Sequence, residues 1–288
     1  MTPEQIKAAQ QLLAFYVDAG VDAPLGEEAI DRFADHPPPV LPQADEDRSA
    51  SEDMPAVSRK PSTDALARPA IAASWRPAEA GPAPPAPDTA AMAAREAAKS
   101  AGSLEELRAI LAGFDGCALK TTATQLVFAD GNPQAPLMFV GEAPGREEDL
   151  EGLPFVGRSG KLLDRMMAAI GLDRSKAYIA NIVPWRPPGN RTPTPQESQI
   201  CLPFILRQIE LADPDILVCL GGPSAQTLLG IKDGIRKARG RWQAYHTGTR
   251  DIRALATFHP AYLLRSPLEK RLAWRDFLAI KAALAERT

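Results

Sequence analysis

The sequence predicts an α/β protein, built on a mainly parallel sheet with helices on both faces. Two observations lead there. From about residue 125 onward, short apolar runs of strand length alternate with longer segments of helical character. Each core run then passes straight into a polar or Gly-rich stretch, as parallel strands do where they leave a sheet at its ligand-binding edge. The part of the chain from 114 to 288 has 175 residues, enough to bury a full core.

In chain order, Thr2-Pro3-Glu4-Gln5 reads as a helix start, with a Thr cap, Pro in the first turn and Gln at the reciprocal capping position. Ile6, Leu12, Leu13, Phe15 and Tyr16 give that helix an apolar stripe, and Gly20 ends it. A second short helix follows over 27–33. Residues 1–35 are therefore expected to form an N-terminal helical segment that docks on the main domain, dimerises or binds a partner; the sequence does not choose. Residues 36–87 are expected to be a disordered linker. From Pro37 to Pro87 the chain holds 12 of its 28 prolines, interspersed with Ala, Ser, Asp and Glu, too little apolar surface to offset ordering entropy. Its one large aromatic, Trp75, reads as a stray exposed residue, with a short docking motif around 71–75 as the alternative.

The third unit, 88–288, begins with leading helices over 88–113. The first is Ala-rich; the second opens on a capping box, Ser103-Leu104-Glu105-Glu106, and stops near Gly113. Strands are expected at 125–129, 137–140, 178–182, 216–220 and 254–258, with a turn at Asp130-Gly131-Asn132-Pro133. Helices are expected at 161–170, 195–211, from 223, and at 267–285.

Charge and cysteine usage narrow the class. The net charge of −3 is unevenly spread: residues 1–113 hold 10 Lys+Arg against 18 Asp+Glu, and residues 114–288 hold 23 against 18. A basic C-terminal part on an acidic chain fits a polyanion partner, although ordinary surface scatter would give the same figure. Three cysteines and no signal-type leader suggest a reducing compartment, and no apolar run approaches the ~20 residues of a membrane span, so a cytoplasmic protein is expected. A monomer is also expected, although the oligomeric state is not read from any of these features.

The strand ends carry the chemistry. Val140 runs into Gly141-Glu142-Ala143-Pro144-Gly145, then an acidic stretch and Phe155 between Pro154 and Val156. Taken alone, this loop reads equally well as an acidic surface loop with Phe155 tucked into the core. But Asn181 ends the next strand, Gly221-Gly222-Pro223-Ser224 follows Leu220, and His259-Pro260 follows Phe258. Along one edge of a parallel sheet, Glu142, Asn181, Ser224 and His259 would line a single cleft with Phe155. Cys/His zinc spacing, a Walker loop, a GxGxxG turn and a GxSxG elbow are all missing from the sequence. What remains is an aromatic for stacking, an amide that both donates and accepts, a carboxylate and an imidazole. That set suits an enzyme that holds an extruded base and acts on its glycosidic bond, with basic Gly/Pro-rich loops gripping phosphates.

GEAPGREED, GLPFVGRSG, the strand ending in Asn181 before RPPGNRTPTP, and TFHPAYLLR together resemble the family 4 uracil-DNA glycosylases over about residues 114–285. The resemblance implies an α/β/α sandwich around a central four-stranded parallel sheet, and an enzyme that removes uracil from DNA to leave an abasic site. By that resemblance Phe155 stacks on the extruded uracil and Asn181 reads its Watson–Crick edge. The Glu142 and Ala143 backbone holds a carbonyl, and Glu142 positions the attacking water. Glu148 crowds C5 against the thymine methyl, and His259 stabilises the leaving base through O2. Tyr262-Leu263-Leu264-Arg265 resembles a wedge, and DNA contacts fall to Arg158, Ser159, Asn190, Arg191, Ser224, Leu264 and Arg265. A related covalent uracil-DNA binder carries a basic insertion before its histidine, which Thr257-Phe258-His259-Pro260 lacks.

The sequence departs from the family at one site. Members usually ligate a [4Fe–4S] cluster with four cysteines, and those positions here read Phe114, Cys117, Trp185 and Cys201. Two thiolates do not satisfy Cys₄ ligation, so no cofactor is expected, and Cys219 reads as a small core residue. The alternatives to an enzyme are a uracil- or damaged-DNA binding protein with little turnover, and an interaction protein working through its N-terminal helices.

Overall fold

The computed structural model describes residues 87–286. The expectations for the 1–35 helices and for the linker lie outside the described residues, except that Pro87 already opens the first helix. In chain order the elements are α1 (Pro87–Ser100), α2 (Leu104–Gly113), α3 (Leu119–Thr122), β1 (Asp130–Gly131), β2 (Leu137–Gly141), α4 (Arg146–Glu151), α5 (Arg158–Ala169), β3 (Tyr178–Asn181), α6 (Pro195–Ala212), β4 (Ile216–Leu220), α7 (Gly222–Leu229), α8 (Ile235–Ala238), β5 (Trp242–His246), β6 (Asp251–Thr257), α9 (Pro260–Arg265) and α10 (Lys270–Ala285). Single 3₁₀ turns occupy Arg174–Lys176, Pro188–Asn190 and Pro267–Glu269.

The sheet has six strands in the order β1-β3-β2-β4-β6-β5. Its inner four pair in parallel, β3 with β2, β2 with β4 and β4 with β6, whereas β1 and β5 add antiparallel edges. The expected four-stranded parallel sheet is thus the core of a six-stranded mixed one.

Alternation along each strand divides the core into two layers. Met138, Val140, Tyr178, Ala180, Leu217, Cys219, Ala254 and Ala256 face the layer made by α1, α2, α6 and α7. Leu137, Phe139, Ile179, Ile216, Val218, Leu220 and Leu255 face α5 and α10, where Phe139 stacks on Phe277 with centroids 5.9 Å apart. Burying each such large side chain stabilises by roughly 1.5–3 kcal/mol, so both faces must be covered. The Ala-rich leading helix has a packing reason: Ala90, Ala94 and Ala98, with Ala101 just past its end, form a buried face at near-helical spacing in the same cluster as Ile205 and Ile209 of α6.

Caps set the helix ends. Thr194 Oγ1 accepts from Glu197 N at 3.2 Å while the Glu197 carboxylate accepts from Thr194 N at 2.7 Å, and Pro195 fills the first position of α6. Ser103 Oγ caps α2 by accepting from Glu106 N, but Glu106 reaches back to Gly102 N rather than to Ser103.

Three expectations are corrected. Residues 125–129 form no strand; Val127 N donates to Pro184 O at 2.9 Å, and pairing begins only at Asp130, inside the expected turn. A strand at Trp242–His246 went unforeseen because its side chains alternate only between half-buried and exposed. The last helix is present over the expected range, but its first turn, Pro267–Glu269, is 3₁₀ and α10 begins at Lys270; α9, directly after His259, went unforeseen.

Candidate active site

The cleft opens where the parallel strands end and has a volume of about 730 Å³. Register alone brings its first two groups together. Gly141 pairs with Asn181 across β2 and β3, and Ile182 N and Val183 N continue the ladder to Gly141 O and Glu142 O, each at 3.0 Å. Gly141 is bare for a reason: a Cβ there would lie 2.4 Å from Asn181 Oδ1 and 2.6 Å from Phe155 Cζ. The amide and the ring therefore stand side by side over the strand end.

Glu142, Asn181, Phe155 and His259 all line the cleft, as the sequence predicts. Asn181 is buried, yet its Oδ1 and the Oε1 of Glu142 make no hydrogen bond within the described residues. Buried acceptors of this kind normally have partners, so the pair is set for a ligand that donates. Burial raises the Glu142 carboxyl above its ordinary value of 4.5.

His259 caps α9, its Nδ1 accepting from Ala261 N at 3.1 Å. That bond leaves the proton on Nε2. Burial, followed by the charge of Arg265, lowers the imidazole pKa to about 4, so the ring is a neutral donor near pH 7. The Phe155 ring lies 5.5 Å from it at a tilt of 31°.

Glu148 is buried at the cleft wall with both carboxylate oxygens occupied: Oε2 accepts from Gly145 N and Oε1 from Gly157 N, each at 3.0 Å. It thereby ties the loop after β2 to the turn before α5. Ala143 lines the cleft between these groups. Arg158 and Ser159 open α5 at the rim, where a 12-residue helix presents its N-terminus. Asn190 accepts from Arg186 Nε at 2.6 Å, and Arg191 forms two bonds to Glu197, at 2.8 and 2.6 Å, so both are held in place at the cleft edge. Leu264 and Arg265 are exposed and also line the cleft.

Two expectations change. Ser224 is fully buried and donates to Val140 O at 2.7 Å, fastening α7 to β2 instead of facing the cleft. Leu263, within the wedge-like stretch, is also fully buried, packed with Phe258 and Ala273.

The sequence reading also missed residues. Asp149 looked like one more acid of the loop, but it is buried and accepts from Thr124 N at 2.8 Å, Thr124 Oγ1 at 3.0 Å and Gln125 N at 3.3 Å. Arg146 is exposed and lines the cleft. Gly141 could have been found from the strand pattern, since a Gly directly before a functional loop signals close approach.

The cluster positions can be tested against the geometry. Cys117 and Cys201 are buried with their sulfurs 3.8 Å apart. Trp185 is buried in the same apolar cluster, and Phe114 packs edge-on against Phe204 at 5.1 Å. Two sulfurs among aromatic rings do not fit a four-thiolate cluster. Among the described residues, no group of three or more His, Cys, Asp or Glu is placed to hold a metal ion.

Comparison with known proteins agrees with this geometry. The family model of the Uracil DNA glycosylase superfamily matches residues 128–278, an interval that holds all six strands. The Type-4 uracil-DNA glycosylase of Archaeoglobus fulgidus is 41% identical over 168 residues, covering 57% of this chain and 84% of the relative. That of Thermotoga maritima is 44% identical over 151 residues, covering 52% and 77%. The chain belongs to the uracil DNA glycosylase superfamily.

Proposed function

We propose that this chain is a uracil-DNA glycosylase, a hydrolase that cleaves the N-glycosidic bond of uracil in DNA and leaves an abasic site. The observation that carries the reading is the pair of buried acceptors, Glu142 Oε1 and Asn181 Oδ1, that have no hydrogen-bond partner among the described residues, in a cleft that also presents Phe155 and His259. In this reading Phe155 stacks on the extruded base, and Asn181 Oδ1 accepts from uracil N3–H. Glu142 orients a water toward C1′ and takes its proton as the C–N electron pair leaves with the base. His259 Nε2–H donates to O2 of the departing uracil, where negative charge develops, so it acts mainly in the transition state. Glu148, fixed by its two amide donors, crowds C5 against the thymine methyl. Arg158, Ser159, Asn190, Arg191 and Arg265, joined by Arg146, meet phosphates, and Leu264 fills the space the base leaves.

The chemistry is taken to proceed without an iron–sulfur cluster, as the Cys117/Cys201 pair suggests. A monomeric, cytoplasmic protein and a protein partner for residues 1–35 remain proposals from the sequence. Among the described residues no helix is long and apolar enough to cross a membrane.

The deciding assay uses a labelled oligonucleotide with a single uracil, treated with protein and then with hot alkali. Strand scission at the uracil and none at thymine is the expected result. Retention of the oligonucleotide on the protein without scission would overturn the enzyme reading in favour of a binding protein.

A further inference from the structure

Phe155 sits in a conformation that its side chain does not favour. Its φ is +55°, and the other non-glycine residues with positive φ among those described are Asn190 and Asp213, types that tolerate the left-handed region. A bulky residue stays there only when its surroundings over-determine it. Two features do so. Gly160, in the first turn of α5, lets the Phe155 carbonyl sit against the helix: a Cβ at Gly160 would lie 1.6 Å from Phe155 O. Arg174, from the 3₁₀ turn before β3, donates to both carbonyls flanking the bend, to Pro154 O at 3.1 Å and to Phe155 O. Its guanidinium is anchored by two carboxylates from different elements: Asp164 of α5, 2.9 Å from Nε, and Asp130 of β1. Arg174 does not line the cleft.

We propose that Arg174 is a positioning residue for the stacking ring: held by Asp130 and Asp164, its guanidinium fixes the left-handed Phe155 backbone and so places the ring over Gly141 and beside His259. A planar fork suits this task, because it reaches two carbonyls and two carboxylates at once; a lysine ammonium keeps the charge but not the geometry. The consequence for catalysis rests on the glycosylase reading above, whereas the clamp itself does not.

The test uses the full chain with Arg174→Lys, Phe155→Ala and the double variant, measured by melting temperature, single-turnover excision of uracil, affinity for uracil-free duplex, and amide hydrogen exchange over residues 153–160. Arg174→Lys should fold, bind uracil-free duplex as the wild type does, exchange faster over 153–160, and excise on the order of ten- to a hundredfold more slowly. In the Phe155→Ala background the same change should cost little more. Asp164→Asn, at a side chain 43% exposed, should move both exchange and rate in the same direction by less, and serves if Arg174→Lys does not fold. Unchanged exchange over 153–160, or an undiminished loss of rate in the Phe155→Ala background, would overturn the proposal. If the wild type fails to excise uracil, the glycosylase reading falls, and the exchange measurement alone decides the clamp.

Discussion

At the scale of single residues, His259 and Glu142 have opposite protonation behaviour, and that makes the chemistry testable by pH. His259 is neutral above about pH 4, so it adds no ionisation to the rate between pH 5 and 8. Glu142 must be ionised to accept a proton from water, and burial raises its pKa above 4.5. Single-turnover excision by the wild type should therefore fall on acidification with one acid limb lying above pH 4.5, and Glu142→Gln should be slow and lack that limb. A limb that survives in Glu142→Gln assigns it to another group. Stability follows the histidine with a definite sign. Between about pH 4 and 6.5 the unfolded chain binds a proton at His259 that the folded chain refuses, so stability rises with pH across that window. Removing the imidazole in His259→Ala should flatten that part of the stability profile. It should also slow excision by about a hundred- to a thousandfold, equivalent to roughly 2.7–4 kcal/mol, because one transition-state donor is lost while DNA binding persists. A folded His259→Ala with a wild-type rate would remove the residue from the mechanism. For Asn181→Asp, the acceptor is kept but its charge opposes uracil O4; excision of uracil should drop and preference should shift toward cytosine, measured on paired oligonucleotides.

At the scale of elements, the loop before Arg186 and the middle of α6 bear on the cofactor. With Trp185 in the core and only Cys117 and Cys201 in contact, purified protein should be colourless and hold no iron, and Cys117→Ala should excise uracil at the wild-type rate. About four irons per chain and a broad visible absorption would reverse that conclusion. The same elements show what a sequence reveals. Strands β2, β3, β4 and the 254–257 part of β6 were legible because their side chains are buried on both faces, which leaves near-continuous apolar runs. Strand β5 was not, because Trp242–His246 is an edge whose side chains are half-buried or exposed, so its residues carry little apolar signal. Residues 125–129 misled in the opposite sense: Val127 is fully buried, but under a loop instead of in the ladder. Glu142, Asn181 and His259 were legible because each sits at or just beyond the end of such a strand, and Phe155 because it is a lone aromatic in the Gly/Pro-rich stretch that follows the β2 loop. Arg174 was not, since nothing local to a surface 3₁₀ turn tells that its side chain reaches the backbone 19 and 20 residues earlier.

At the scale of the whole molecule, charge separates the two parts of the chain. Residues 1–80 hold 7 basic against 14 acidic residues, a net of −7, and residues 81–288 hold 26 against 22, a net of +4. Every cleft residue named above belongs to the second part, and among the described residues so do the hydrogen bonds that hold them. A chain beginning at Gly81 keeps α1 and its Ala face against α6 and should fold with an unchanged melting temperature. Because its net charge changes sign, it should meet DNA more readily where charges are felt over long distances. At about 0.01 M ionic strength the screening length is roughly 30 Å, and it shrinks to roughly 8 Å at 0.15 M. The shortened chain should thus bind uracil-free duplex more tightly than the full chain at low salt, with the difference fading toward physiological salt, while single-turnover excision at saturating protein stays the same. Titrations at several salt concentrations, run beside the excision assay, separate the two effects. A rate that collapses in a folded protein starting at Gly81 would place part of the catalytic machinery in residues 1–80. An equal affinity at every salt concentration would mean that the acidic segment does not oppose DNA binding, whatever its net charge.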